Sequence, residues 1–311
     1  MATKTVIVTG GAGFIGSHLV DAVIVGGRDA VVIDDLSSGR ADLVASEATL
    51  EHIDITDAGL LDQVVDVVQP ETIFHLAAQS SVTVSVSDPQ RDCAVNVQGT
   101  LNVLEAAKRH GAQVVFSSTG GAIYGNDAPI PTTEDRIPAP LAPYGASKWA
   151  GEAYVITWSQ ATRSPHAVCR LGNVYGPRQS PHGEAGVVAI FSHHLWRGEA
   201  PTLYGFGKPT RDYIHVDDVV RGLLAAEGKA GLFNVSTGVE TPVHAIFAIL
   251  QEAAGTSLSP ECAPLRAGEL ERSCLHAGRA ERELGWQAEI PLTEGLPRTF
   301  EALATEFARR D

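Results

Sequence analysis

The sequence predicts an α/β fold, a doubly wound parallel sheet joined to a smaller mixed α/β C-terminal part. Three observations predict it. Apolar, β-branched runs alternate with helix-periodic segments through the first half of the chain. A glycine turn joins the first such run to the first helix. After about Gly172 the pattern loosens into loops rich in Pro and Gly.

The first strand is Val6-Ile7-Val8, apolar enough to be buried on both faces. Gly10, Gly13 and Gly16 follow, and Phe14, Ile15, Leu19, Val20 and Val23 recur at helical spacing. Such a turn aims backbone N–H groups and the positive helix end at one spot, which suits a pyrophosphate. Gly10 permits the turn, Gly13 lets a phosphate approach, and Gly16 lets helix and sheet pack closely. The second strand, Ala30 to Ile33, ends in Asp34, about 20 residues past the glycines, where an acid meets the adenosine ribose hydroxyls. A carboxylate there repels a 2′-phosphate, so NAD is expected over NADP; Arg40 is the nearest later base.

The polar loop Asp35-Leu36-Ser37-Ser38-Gly39 comes next. A short strand, Leu50 to Ile53, ends at Asp54-Ile55, placed to flank an adenine. A helix follows with Leu60, Leu61, Val64, Val65 and Val68 inward, then the strand Thr72 to Leu76, closing on Ala77-Ala78. Small residues at that strand end let the backbone lie against a cofactor. Asp88 caps a helix with proline in its first turn. Val97, Leu101 and Leu104 mark its buried stripe, and Asn96 among them is either a satisfied core amide or a functional group. The strand Gln113 to Ser117 runs into Ser118-Thr119. Ligands of such sheets bind at the carboxyl ends of the strands, where Asp34, Ala77-Ala78 and Ser117-Ser118-Thr119 stand. The last helix carries Leu292, Leu296, Phe300, Leu303 and Phe307 on one stripe.

The catalytic signal is Tyr144-Gly145-Ala146-Ser147-Lys148 at the start of a helix. Tyrosine and lysine at i and i+4 share one helix face. A free phenol, with a pKa of about 10, is too weakly acidic to serve as a base at neutral pH. A nearby ammonium and a nicotinamide cation lower that value, and the phenolate can then take a proton from a hydroxyl. A hydroxyl from Ser117-Ser118-Thr119 should bridge tyrosine and substrate, Thr119 first and Ser118 as the alternative.

These residues resemble the extended short-chain dehydrogenase/reductases, and within them the UDP-glucose (UDP-galactose) 4-epimerase family. The resemblance rests on the glycine turn, Asp34-Asp35-Leu36, Asn96 to Thr100, Thr119 with Tyr124-Gly125, Tyr144 to Lys148, Asn173, and Arg211 to Val216. It implies a Rossmann-type domain over 1–172 and 212–238 and a nucleotide-sugar domain over 173–211 and 239–311. It implies bound NAD on the residues above, with Phe14, Ile15, Ser38, Gly39, Leu76, Ser80, Asn96 and Ser117 beside them. It implies a UDP-sugar held by Asn173, Val187, Arg211, Arg266, Glu269 and Ser273, and a 4-keto sugar formed and reduced again. The small Ser273 suggests room for an N-acetyl group. Gly120-Gly121 stands where related dehydratases carry an Asp-Glu pair, which removes the acid and base of dehydration. Family members commonly dimerise through the helices containing Asn96–Lys108 and Tyr144–Trp158, so a homodimer is expected. Epimerases of other nucleotide sugars, and a non-catalytic sensor of NAD or nucleotide sugar, are the rival readings.

Composition sets the outer bounds. The chain has 311 residues, enough for one large core or a core with a smaller partner, and 44% are hydrophobic. A net charge of −14 argues against a nucleic-acid or anionic-membrane surface. No apolar run reaches membrane-spanning length and no export leader precedes the first strand. The four cysteines form no CxxC pair and the eleven histidines show no metal-ligand spacing. A cytoplasmic enzyme with reduced thiols and no metal is expected.

Overall fold

The computed structural model describes residues 4–182, 186–266 and 270–310. In chain order its strands are β1 (Thr5–Thr9), β2 (Asp29–Asp34), β3 (Thr49–His52), β4 (Thr72–His75), β5 (Gln113–Thr119), β6 (Ala167–Leu171), β7 (Asn173–Tyr175), β8 (Thr202–Tyr204), β9 (Thr210–His215), β10 (Gly231–Val235), β11 (Glu240–Pro242) and β12 (Glu261–Ala263). Its helices are α1 (Phe14–Val25), α2 (Ala58–Val68), α3 (Val82–Ser87), α4 (Pro89–Cys93), α5 (Thr100–His110), α6 (Pro143–Thr162), α7 (Val187–Trp196), α8 (Val216–Ala225), α9 (Val243–Ala253), α10 (Gly278–Leu284) and α11 (Leu292–Arg310).

Among the described residues seven strands form one sheet in the order β10-β6-β5-β4-β1-β2-β3, every neighbour parallel. The chain winds from β1 out to β3, then crosses back to place β4 on the other side of β1. That reversal opens a crevice at the carboxyl ends of β1 and β4, where such sheets bind ligands. Strand alternation sends Val6, Val8, Val32 and Val115 to one face, under Leu19, Val20 and Val23 of α1 and Val219 and Leu223 of α8. Ile7, Ile33, Ile73, Val114 and Phe116 face the other side, under α2, α5 and Val155 of α6. Burying each large apolar side chain contributes roughly 1.5–3 kcal/mol, so these two layers fix the frame on which the site sits.

A second lobe covers the carboxyl edge. It holds the sheet β11-β9-β7 and the pair β12-β8, around a core of Tyr175, Phe191, Leu195, Tyr213, Ile246, Phe247 and Leu296. Ala280 of α10 and Trp286 reach back into the core of the large sheet.

Two details differ from the sequence pattern. Leu60 is exposed, while Leu61 and Val65 carry the inward face of α2. The reason is the cap: the Asp57 side chain accepts from the Leu60 N–H and places Leu60 in the outward first turn. The helix after Asp88 is also not continuous. Asp88 caps α4 as expected, accepting from Arg91 N–H at 3.0 Å, but a π turn spans Ala94–Gly99 before α5 begins. The wider turn rotates the following stripe, so Asn96, Thr100, Val103 and Leu104 are buried and Val97 and Leu101 only half-buried.

Candidate active site

The crevice starts at the glycine turn. Gly10 adopts φ +71°, and a Cβ there would lie 2.6 Å from the Ala77 nitrogen. The end of β1 can therefore lie directly against the end of β4. A Cβ on Gly16 would strike the Gly10 carbonyl, so only glycine lets α1 start this close to the sheet. Gly13 is the N-cap and leaves the first N–H groups of α1 without a side-chain partner. At the end of β2, the buried Asp34 accepts from Ala12 N–H at 3.0 Å and Leu36 N–H at 2.9 Å. Burial raises its carboxyl pKa, against the pull of those two amides. Gly39 closes over the same carboxylate, where a Cβ would come within 2.7 Å of Oδ1. A pyrophosphate cradle with an acid beside it is the donor set a dinucleotide needs.

The rest of the cofactor set falls around this cradle. Asp35 is turned to Ser37, accepting from its N–H and hydroxyl. Asp54 is exposed and accepts from Thr56 N–H, while Ile55 is buried against Gly99. Ala77 and Ala78 are half-buried and Ser80 is exposed. Arg40 is occupied: it pairs with Asp42 and, at 2.6 Å, with Glu306.

On the far side of β4 stand the tyrosine and lysine. The Thr119 side chain stands beside Tyr144 and favours its phenolate. Strand alternation decides between the two candidate hydroxyls: Ser118 points to the opposite face of β5, buried, with no partner for its Oγ among the described residues. Ser118 is thereby set aside and Thr119 kept, with Ser117 on the Thr119 face. Gly145 and Gly151 bring α6 close. A Cβ at Gly145 would strike the Ala122 carbonyl, and one at Gly151 would come within 2.9 Å of the Phe116 ring. Lys148 is 2% exposed, and its Nζ sits 4.2 Å from the centre of that ring.

Burial pushes the Tyr144 phenol up to about 12, Thr119 pulls it back and Asp92 adds to the rise; the acidified tyrosine that the sequence predicts also draws on a nicotinamide cation beside it. Lys148 is pushed down to about 7 by burial, opposed by Glu152 and Asp92. Glu152, one turn further along α6, is held bidentately by Arg170 of β6 at 2.9 and 2.6 Å, and Arg170 donates to Tyr124 at 2.5 Å.

Asn96 proves to be a hub. Its Oδ1 accepts from Gln79 N–H, and its Nδ2 reaches the Gln79 carbonyl, Asp92 and the Ser147 hydroxyl. Through these bonds the side-chain amide ties the β4 loop to α6.

The substrate residues converge in the second lobe. A cavity of about 290 Å³ is lined by Asn173, Val187, Arg211 and Arg266, with Thr202 and Tyr204 opposite. The Asn173 Oδ1 is buried without a partner among the described residues. Arg211 donates to the Thr210 carbonyl at 2.8 Å, and the Arg266 guanidinium lies 3.8 Å over the Tyr204 ring. Ser273 pairs through its backbone with Thr210 and is not part of this lining. Glu269 lies outside the described residues. Sequence reasoning missed Tyr204, Thr202 and Gln179 as lining. Alternation in Thr202-Leu203-Tyr204, with Leu203 buried in the core, was the available signal. Gly120 backs onto Leu275, where a Cβ would meet the methyl groups at the end of that side chain.

A dinucleotide cradle and a buried tyrosine–lysine pair at one sheet edge define an enzyme that moves a hydride and a proton together. The chain belongs to the NAD dependent epimerase/dehydratase family, whose model matches residues 6–235. It is 46% identical over 304 residues to a UDP-glucose 4-epimerase of Mycolicibacterium smegmatis, covering 95% of this chain and 97% of that protein. The crystal structure of a Thermotoga maritima UDP-glucose 4-epimerase with UDP-glucose superposes with a TM-score of 0.95, at 42% identity over 97% of this chain and 99% of that one. That of a Thermus thermophilus UDP-glucose 4-epimerase with NAD gives 0.90, at 40% identity over 96% and 98%.

Proposed function

We propose that the chain is an NAD-dependent 4-epimerase interconverting UDP-glucose and UDP-galactose through a transient 4-keto sugar. The observation that carries this is Tyr144 beside Thr119 at the carboxyl end of β5, with Lys148 buried one helical turn on. Bound NAD supplies a hydride acceptor and donor for the sugar C4 and a positive charge beside the phenol. Tyr144 takes the proton of the 4-hydroxyl and later returns one. Thr119 bridges Tyr144 and the sugar oxygen. Lys148, in its ammonium form, favours the phenolate, and Thr119 opposes the burial that holds Tyr144 near 12. Gly120-Gly121 after Thr119 supplies neither acid nor base, which disfavours dehydration as the outcome.

Gly10 to Gly16, Asp34 to Gly39, Asp54-Ile55 and Leu76 to Ser80 hold NAD in this reading. Asn173, Val187, Arg211 and Arg266 hold the UDP-sugar, the guanidiniums matching phosphate oxygens in bidentate fashion. The cofactor domain spans 1–172 and 212–238, and the nucleotide-sugar domain 173–211 and 239–311. Exposed Trp149, Tyr154 and Ile156 on α6, next to half-buried Val97 and Leu101, support a homodimer through these helices. Gel filtration at micromolar concentration showing monomer alone would count against it. The four cysteines are free thiols, which suits the reducing cytoplasm.

The test is to incubate the protein with UDP-galactose and no added cofactor. UDP-glucose should appear, and denaturation should release NAD in stoichiometric amount. Absence of UDP-glucose from NAD-loaded protein would reject the reading.

A further inference from the structure

Arg266 lines the nucleotide cavity and stands between two fastenings of the chain. On its N-terminal side β12 pairs with β8, where Ala263 lies opposite Tyr204, the ring on which the Arg266 guanidinium rests. On its C-terminal side the chain is fastened to one residue, Thr210 at the start of β9. The Thr210 N–H donates to the Glu271 carbonyl at 2.9 Å, and the Thr210 carbonyl accepts from the Ser273 N–H at 3.1 Å. The same carbonyl accepts from the Arg211 guanidinium at 2.8 Å. Thr210 is thereby a fixed point shared by both cavity arginines.

A side-chain clasp reinforces this second fastening. Glu240 of β11 takes Arg272 in a bidentate pair, from Nε at 2.6 Å and Nη2 at 2.7 Å. Its Oε1 also accepts from the Thr210 hydroxyl. One carboxylate thus joins β9, β11 and the residues that follow the Arg266 segment. Arg272 and the Thr210 hydroxyl hold the Glu240 carboxyl down to about 2, so the clasp is ionised at neutral pH. Neither Glu240 nor Arg272 lines the cavity.

We propose that Glu240 is a positioning residue for the substrate: through its clasp on Arg272 it holds Arg266 in place for the diphosphate before the nucleotide sugar arrives. The proposal rests on the reading of Arg266 as a diphosphate ligand given above. The physical reason is preorganisation. Ordering a chain segment costs conformational entropy, and a segment already pinned on both sides bears that cost in folding rather than in binding. Most exposed ion pairs contribute little, but a bidentate arginine–carboxylate pair with a third bond to the carboxylate has the geometry that contributes most. The upper end of that range corresponds to about fivefold in affinity.

The variants are Glu240→Gln, which keeps an oxygen for the Thr210 hydroxyl and loses the charge, and Arg272→Gln. The measurements are calorimetric titration of the NAD-loaded protein with UDP, and kcat and KM for UDP-galactose. Each variant should weaken UDP binding and raise KM by about fivefold, with kcat within about twofold. The double variant should be no worse than either single one, because the two side chains act through one pair. In an Arg266→Ala background, which itself weakens UDP binding, Glu240→Gln should cost less than about twofold, since the clasp has nothing left to place. A structural role alone gives the same loss with or without Arg266. That loss persisting in the Arg266→Ala background overturns the proposal, and so do UDP affinity and KM unmoved in both single variants. A fall in kcat with KM unmoved overturns it too. If Glu240→Gln does not fold, Arg272→Gln, whose side chain is exposed, carries the same test. Wild-type protein that binds UDP but leaves UDP-galactose unconverted would fail the epimerase reading alone, and the UDP titrations would still decide for or against the clasp.

Discussion

The proton-transfer pocket and the nucleotide cavity sit on the same crevice and are built in opposite ways. Around Lys148 the walls are dry: Phe116, the Asp92 carboxylate and the Arg170–Glu152 pair, all nearly free of solvent. Around Asn173 the walls are mixed, with two arginines, an open amide oxygen and aromatic rings lining 290 Å³. In the first, low dielectric makes charge the variable, and it moves the ionisation of Tyr144 and Lys148 in opposite directions. In the second, geometry and hydrogen bonds to phosphate are the variable. The pocket should therefore govern kcat, and the cavity KM.

The largest effect should come from Tyr144→Phe. General acid–base catalysis contributes roughly 10²–10⁴-fold, so kcat should fall by about a thousandfold with NAD still bound. Steady-state turnover and the NAD content of the denatured variant check both halves. A smaller effect tests the dryness of the same pocket. Lys148 is charged in the unfolded chain up to about pH 10 and loses its proton near 7 when folded. The unfolded state binds more protons between those values, so stability should rise as pH increases from 7 toward 10. Lys148→Met should remove about 1.4 kcal/mol per pH unit from that slope. Urea unfolding at a series of pH values measures it, and an unchanged slope would mean that Lys148 stays charged when folded.

The two regions also differed in how far they could be read in advance. The glycine turn, Asp34 and the Tyr144–Lys148 spacing were legible because each depends on a few neighbours in sequence and a regular period. The parallel sheet was legible for the same reason. The π turn at Ala94–Gly99 was not: nothing in its composition signals an i→i+5 ring, and it moved the buried stripe onto Asn96 and Val103. Asn96 could be marked as inward but not assigned, because its partners lie 17 and 51 positions away. Asp92 gave no signal at all, since its burial arises from α4 packing against α6. In the second lobe, Tyr204 and Gln179 face the cavity through short strands and loops that carry no long periodicity.

Two arginines sharpen the contrast further, one on each side of the crevice. Arg211 lines the cavity, and hydrogen bonds to charged groups are worth roughly 1.5–3 kcal/mol. Arg211→Ala should raise KM for the UDP-sugar by about 10- to 100-fold and leave kcat within about twofold. A fall in kcat with KM unmoved would place Arg211 in the chemistry and blur the division of labour.

The smallest effect belongs to Arg40. It follows Asp34 closely enough in sequence to be a candidate for a 2′-phosphate, which would admit NADP. In the fold its guanidinium bridges Asp42 and Glu306, and the latter lies on the last helix. Two carboxylates already meet its positive charge, and Asp34 stands nearer the turn with its carboxylate aimed at the Ala12 and Leu36 amides. Arg40→Ala should then change the ratio of NAD to NADP affinity by less than about threefold. It should also cost no more than about 1 kcal/mol of stability, the range of partly exposed ion pairs. Cofactor titrations with the NAD-free protein give the ratio. A tenfold loss confined to NADP would show that Arg40 leaves its carboxylates to meet a phosphate, and that charge as well as shape selects the ligand on the cofactor side.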